Sequence, residues 1–435
     1  MSSFHNSFRR CSMRLRIWSA FVMVTFLFFI IFLGSLQAKE INIQFRTMEH
    51  GKAANVEQEI VDMFGKSRPD IKVDLLQGQW TQYYSQLRLA VMGGNPPQLG
   101  VTLLQKIVEI EEYLTPLDQS PVGNLLEMAG INPAEFDQKG WKAGQLNGKQ
   151  YAIPFNYPAL LMWYNKDIFS KAGLDPEKFP DTMEEFVDAC NKIKAAGFYA
   201  FHPASDGPPR FWRRTWYMLF WEQGGELFDE GYTKATFNNE QGIKALQFLV
   251  DVIHKYGWNV VGADGYKQFS GKELGIIYAG NWFYPYAAKL GDNWSGAKVP
   301  KFFDKRVTWL NGHGFQIPKQ PEGTPKEVYM AAMDLIKFYL KNLPKSTMVA
   351  GHIPAYKPAL ADKTLIESDY YTKAGKYIAA MVEAGELHYP IRNAKGSELE
   401  NAIQINVELA VNGKISPEEA LANAEKECNR ILSKK

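Results

Sequence analysis

The chain has 435 residues, 22% of them charged, and a formal net charge of +2 at pH 7. Residues 1–38 hold four arginines and no acid, so the remainder carries a formal −2. That balance gives no electrostatic argument for binding nucleic acid or an anionic membrane surface.

Arg9, Arg10, Arg14 and Arg16 precede an uncharged, strongly apolar run over 17–33, and polar sequence resumes at Gln37. A basic start followed by one apolar stretch reads as an export signal ending at Ala38. The run is longer than a usual signal core, so an uncleaved anchor is the alternative. Met13 offers a second possible start, and no Cys follows the run to carry a lipid. The 397 residues after Ala38 suffice for two domains.

Residues 41–45 alternate apolar and polar, which predicts a strand. Val56, Ile60 and Phe64 fall four apart, as on one helix face, and 71–75 alternate again. A helix is predicted over 83–92, ending at Gly93-Gly94. Alternating strands and helices argue for an α/β sheet with covering helices.

From Gly148 to Leu174 the pattern is turn, apolar run, bend, apolar run, helix start. The first run stops at Pro154, the bend spans 156–158, and the second run covers 160–164. Such a segment fits a chain that crosses between two lobes and lines the gap on its way.

Downstream, Thr182 caps a helix and Glu185 completes a capping box, with Phe186, Val187, Cys190 and Ile193 as the buried stripe. Ser416, Pro417 and Glu419 open the last helix by the same logic, and Cys428 lies on its apolar stripe. Both cysteines read as buried thiols, with a disulfide between them as the alternative. No Cys/His cluster has zinc spacing. Amphipathic helices are also predicted over 242–256 and 326–340. No repeat or low-complexity linker is present, so a tight hinge of several crossings fits better than a flexible tether.

The segment over 148–174 resembles the crossover of the extracellular solute-binding proteins, family 1, of ABC importers. Four further segments are similar to that family in the same order. They are Gly224-Gly225 with Leu227-Phe228, residues 271–282 ending in Gly280-Asn281-Trp282, Gly351-His352-Ile353-Pro354, and the helix over 416–431. One departure is Pro97-Gln98-Leu99, where the family has Pro-Asp-Val. The resemblance implies a two-lobe periplasmic-binding-protein fold of class α/β, with discontinuous lobes joined by crossover hinge segments. By that likeness the first lobe is 39–157 plus 312–362 and the second is 158–311 plus 363–435.

Candidate ligand residues follow from chemistry and from this likeness together. A sugar cleft needs flat apolar faces for ring C–H groups and planar polar groups for hydroxyls. Trp282 stands where the family puts a stacking ring, with a core tryptophan as the alternative. Trp80 precedes a helix beside the expected cleft, and Asn156 and Tyr157 lie on the crossover. Trp163 and Tyr164 are expected in strand core. Trp212, Arg213 and Arg214 combine ring and guanidinium groups. Either arginine suits a carboxylate or phosphate, or else a surface ion pair. Trp212 shares a helical face with Trp216, and burial of both is the alternative. His313 sits between glycines at the second crossover, as a hydroxyl donor or a structural histidine. Glu49 follows the first strand, where ligands of α/β sheets gather. Arg392 lies in a loop that the family directs at the cleft.

The resemblance thus implies the periplasmic receptor of a carbohydrate ABC importer: a monomer with no enzyme activity, no cofactor and no metal, which presents a sugar or oligosaccharide to the permease. Arg213 and Arg214 keep open an anionic cargo such as a glycerol-phosphate ester. From a different class, a secreted glycan hydrolase would use paired carboxylates. The acidic pairs here (111–112, 184–185, 418–419) fit solvated helix faces or helix starts instead. Hydrolase, protease and phosphate-loop signatures are missing. An adhesion module, a third class, is opposed by the lack of repeats.

Overall fold

The structure, a computed structural model, describes residues 40–48, 51–203 and 212–434. The export-signal segment and Glu49 lie outside the described residues. Among the described residues, no helix is long and apolar enough to cross a membrane.

The first lobe begins with β1 (Ile41–Thr47), whose Ile43, Phe45 and Thr47 turn one face inward. Helix α1 (Gly51–Ser67) buries Val56, Ile60 and Phe64 against it. Strand β2 (Ile71–Gln77), helix α2 (Trp80–Met92) and strand β3 (Leu99–Leu103) complete two parallel crossovers. Helix α2 starts earlier than its periodicity implied, because the Gln79 carbonyl already accepts the N–H groups of Gln82 and Tyr83. Gln98, in the place of the family aspartate, accepts the Gln44 N–H at 2.8 Å and so still ties this edge to β1. Strand β4 (Ile153–Tyr157) is buried throughout and carries the chain out of this lobe.

In the second lobe β5 (Leu160–Asn165) is again wholly buried. Trp163 and Tyr164 are core residues there, 0% and 3% exposed. Next come α3 (Met183–Ala195), β6 (Tyr199–His202), α4 (Trp212–Glu222), α5 (Glu240–His254), β7 (Leu274–Gly280), β8 (Trp294–Ala297) and β9 (Thr308–Trp309). The chain then returns to the first lobe through β10 (His313–Gln316), α6 (Lys326–Lys341), α7 (Leu343–Ala350) and β11 (Ile353–Pro354). It ends in the second lobe with β12 (Leu387–His388), α8 (Gly396–Val411) and α9 (Pro417–Ser433).

The first sheet has the order β11-β4-β10-β3-β1-β2, and the second β8-β5-β7-β6. Strand β10 is antiparallel to both β3 and β4, so the second crossing lands in the middle of the first sheet. Each sheet has its own apolar core. A third core lies where the chain crosses: Tyr157, Ala159 and Trp163 from the first passage, Leu310 from the second, and Ile353 from the third. The Trp163 indole N–H donates to the Ala279 carbonyl at 3.1 Å, fixing β5 on β7. The lobes are thus joined through packed strands.

Helix starts follow the local sequence. Thr182 accepts the Glu185 N–H at 3.2 Å, while the Glu185 carboxylate reaches back one residue further than a standard box, to the Asp181 N–H at 2.8 Å. Ser416 accepts the Glu419 N–H at 3.2 Å. Cys190 and Cys428 are both buried free thiols.

Glu222, at the end of α4, is fully buried and accepts the N–H groups of Phe302 at 2.7 Å and Phe303 at 3.1 Å. Burial dominates, and its carboxyl is pushed up to about 8. The folded state therefore holds a proton that the unfolded chain has released above its ordinary glutamate range. Stability is fully present below that range and falls as pH rises toward 8, by about 1.4 kcal/mol per pH unit for one proton. Urea unfolding between pH 5 and 8 is expected to show this slope, and Glu222→Gln is expected to flatten it.

Candidate functional site

The crossings bring residues from distant parts of the chain together where the two lobes meet. On the first lobe, Trp80 opens α2, after Gly78 turns the chain with its N–H on the Thr47 carbonyl at 3.1 Å. The Trp80 ring lies 5.4 Å from that of His313. His313 begins β10 and pairs in register with Asn156 on β4. Its Nδ1 is 2.7 Å from the Asn156 side-chain oxygen, so Nδ1–H donates there. Burial, and then the nearby His352, hold His313 well below the ordinary histidine range, so the ring is neutral at pH 7. The His352 ring stands 5.1 Å from His313, edge to face.

His352 follows Gly351, whose φ of +86° is a left-handed conformation. A Cβ at Gly351 would collide with the Asn281 carbonyl oxygen. Here the lobes approach backbone to backbone. Asn281, at the end of β7, donates from Nδ2 to the Tyr157 carbonyl at 2.7 Å, and its own N–H donates to the Ala159 carbonyl at 2.9 Å. It pins the first crossing to the second lobe.

The next residue, Trp282, stands 6.2 Å from His352 across the gap. Its indole N–H donates to the Tyr266 hydroxyl at 3.1 Å. The buried ring of Trp309 meets it edge to face at 6.3 Å. Arg214, on the first turns of α4, lies 4.4 Å over Trp309 and 5.7 Å from Trp282. A continuous line of rings therefore runs from Trp80 through His313 and His352 to Trp282 and Trp309, with a guanidinium at its second-lobe end. A cation over an aromatic face is held there by the ring's electrostatics, which fixes where the guanidinium sits.

The other candidates take different places. Arg213 donates to Glu400 at 3.0 Å and to Gln404 at 3.4 Å. Burial alone would raise the Glu400 carboxyl, but Arg213, Lys106 and Arg214 outweigh it and hold it below its ordinary value. Trp212 is buried and stacked on His202 at 5.9 Å. Tyr157 is buried in the crossing core, with its hydroxyl on the Asp137 carboxylate at 2.6 Å, and burial raises its pKa. Arg392 bridges the lobes: its guanidinium donates to the Gln145 carbonyl, and its N–H to the Tyr232 hydroxyl at 3.1 Å.

A cavity of about 310 Å³ adjoins this edge, lined by Trp221, Glu226, Tyr232 and His388 among others. Trp221 lies two turns beyond Arg214 on α4 and stacks on His388 at 4.2 Å, just as Arg214 stacks on the register partner Trp309.

Sequence reasoning missed His352, Trp309 and Asn281 as cleft-forming residues. His352 sat inside the Gly-His-Ile-Pro segment, and Trp309 three residues before the glycine at the second crossing. Among the described residues, no group of His, Cys, Asp and Glu has the arrangement to hold a metal ion.

Two α/β lobes joined by repeated crossings, with rings and polar groups brought together where the lobes meet, form an arrangement suited to holding a small molecule between lobes. The sequence profile of the bacterial extracellular solute-binding proteins matches residues 59–377. The chain belongs to that family, and its role is binding for transport rather than catalysis. The sn-glycerol-3-phosphate-binding periplasmic protein UgpB of Escherichia coli K12 is 24% identical over 428 residues, which cover 92% of this chain and 94% of the relative. Among solved structures, UgpB from Mycobacterium tuberculosis in complex with glycerophosphocholine aligns with a TM-score of 0.77 and 20% identity, covering 90% of this chain and 98% of that one. Maltose-bound T. maritima MalE3 aligns at 0.76 and 22%, covering 89% and 99%. The fold is therefore common to receptors for sugars and for glycerol-phosphate esters. The protein is an extracellular or periplasmic binding component that works with the membrane permease and ATPase of an ABC transporter.

Proposed function

We propose that the cargo is a phosphate ester of a small polyol, of the sn-glycerol 3-phosphate class, taken up between the lobes and handed to the permease. The observation that carries this reading is Arg214. Its guanidinium lies 4.4 Å over the Trp309 ring and 5.7 Å from Trp282, a fixed positive charge at the end of the line of rings, and a guanidinium is the side chain best suited to a phosphate. The polyol would lie along Trp80, His313, His352 and Trp282, where rings face C–H groups. The Asn156–His313 pair would supply neutral hydrogen bonding for hydroxyls. The resemblance to glycerol-phosphate receptors over nearly the whole chain supports the same class.

A neutral oligosaccharide is the second reading. The number of rings in the gap and the adjoining cavity beside Trp221 favour it, because together they offer length for a sugar chain. A thermal-shift panel of sugars, polyols and their phosphate esters separates the two. A ligand that binds only the folded state raises the midpoint with the logarithm of its concentration. The proposal expects a shift with sn-glycerol 3-phosphate and none with glycerol or maltose. A shift with maltose alone would replace it by the second reading.

A further inference from the structure

Away from the rings, the lobes meet again at the start of α8. Glu109, on the first-lobe helical turn Ile107–Ile110, accepts the Ser397 N–H at 3.2 Å and the Ser397 hydroxyl at 2.9 Å. Lys106, one turn earlier, donates to Glu109 at 2.7 Å and to the Ser397 hydroxyl oxygen at 2.6 Å. The side chains of Lys106 and Glu109 are only 9% and 8% exposed. Helix α8 has 16 residues, and no side chain at its own N-cap, Lys395, caps it. A carboxylate from the opposite lobe stands where that cap would be, at the helix end that favours negative charge.

The contact leads straight to the gap. One turn along α8, Glu400 holds Arg213 at 3.0 Å, and Arg213 precedes Arg214 on α4. Helix α8 therefore carries both the group gripped by the first lobe and the carboxylate that anchors the start of α4. Hinge opening that separates the lobes here must break the three contacts that Lys106 and Glu109 make to Ser397. They are charge-assisted, which makes each stronger than a neutral hydrogen bond, and the Lys106 and Glu109 side chains that make them are nearly buried.

We propose that Glu109 and Lys106 form an interlobe clasp, a positioning pair that grips the start of α8 and sets the fraction of molecules with closed lobes. The clasp rests on its own geometry and holds whichever cargo the gap takes.

The test is a distance measurement on the ligand-free protein. Spin labels on cysteines introduced at Leu89 and Ile405, exposed residues of opposite lobes, report the separation by double electron–electron resonance, while the buried Cys190 and Cys428 are shielded from labelling. The wild type is expected to show a short-distance population. Glu109→Ala is expected to reduce it about tenfold or more. Glu109→Gln keeps an acceptor for the Ser397 N–H but loses the charge facing Lys106, and is expected to reduce it less. Ser397→Ala, a mild change at a helix start, should move the distribution in the same direction and carries the test if Glu109→Ala folds poorly. Coincident distributions for wild type and variants would overturn the clasp. So would a lowered melting temperature with unchanged distances, which would make Glu109 a stability residue only. Because no cargo is added, a failure here is distinct from a failure of the phosphate-ester reading.

Discussion

Arg214→Ala is expected to weaken binding of sn-glycerol 3-phosphate about 30-fold or more in a calorimetric titration. Removing one partner of a desolvated, hydrogen-bonded charge pair costs about 2–5 kcal/mol, and each 1.4 kcal/mol is tenfold in affinity. The loss should exceed that of an exposed ion pair, because Arg214 is packed over Trp309 and beside Trp282. Arg214→Lys should recover only part of it, since an ammonium keeps the charge but gives up the fork and the flat stacking on indole. Melting temperature should change little for Arg214→Lys, which keeps most of the side-chain volume. Unchanged affinity in Arg214→Ala would remove the anion from this end of the rings and turn attention to Arg392, whose guanidinium reaches Gln145 of the first lobe while its backbone N–H holds Tyr232 of the second.

The second large effect is expected from Gly351→Ala. Its φ of +86° is strained for any residue with a Cβ, and that Cβ would meet the Asn281 carbonyl oxygen, which the surrounding hydrogen bonds keep from yielding. Backbone strain and overpacking each cost about 1–3 kcal/mol, so a stability loss of about 2–6 kcal/mol is expected by urea unfolding. The same collision pushes His352 away from Trp282, so ligand affinity should fall with stability. A neutral Gly351→Ala in both measurements would mean that the lobes do not approach here as described.

Much of the architecture was legible in the amino-acid order, for identifiable reasons. Period-two and period-four patterns placed β1, α1 and β2, because one face of each must be apolar. Thr182 and Ser416 announced their helices through a side-chain oxygen acting within three residues, a local interaction that a sequence can display. The buried states of Trp163, Cys190 and Cys428 followed from strand and helix faces in the same way. The gap was only partly legible. Trp282 and His313 were flagged by adjacent glycines and by the family resemblance. His352 and Trp309 depend on a third and a second crossing that bring residues 27 (309 − 282) to 70 (352 − 282) positions apart into ring contact. Nothing local marks that. Arg213 and Arg214 look alike in sequence. Only the position of Glu400, almost 190 residues later, separates the arginine tied into α8 from the one laid on Trp309. The clasp is illegible for the same reason: Lys106 and Glu109 stand one helical turn apart, and nothing local marks that Ser397 of α8 packs on them.

The most direct test of the central claim is a crystal structure of the protein with sn-glycerol 3-phosphate. The account requires the ester between the lobes, a phosphate oxygen about 3 Å from the Arg214 guanidinium nitrogens, and the glycerol carbons against Trp80 or Trp282. Phosphate density on Arg392 alone, or a ligand bound outside the ring-lined gap, would contradict it.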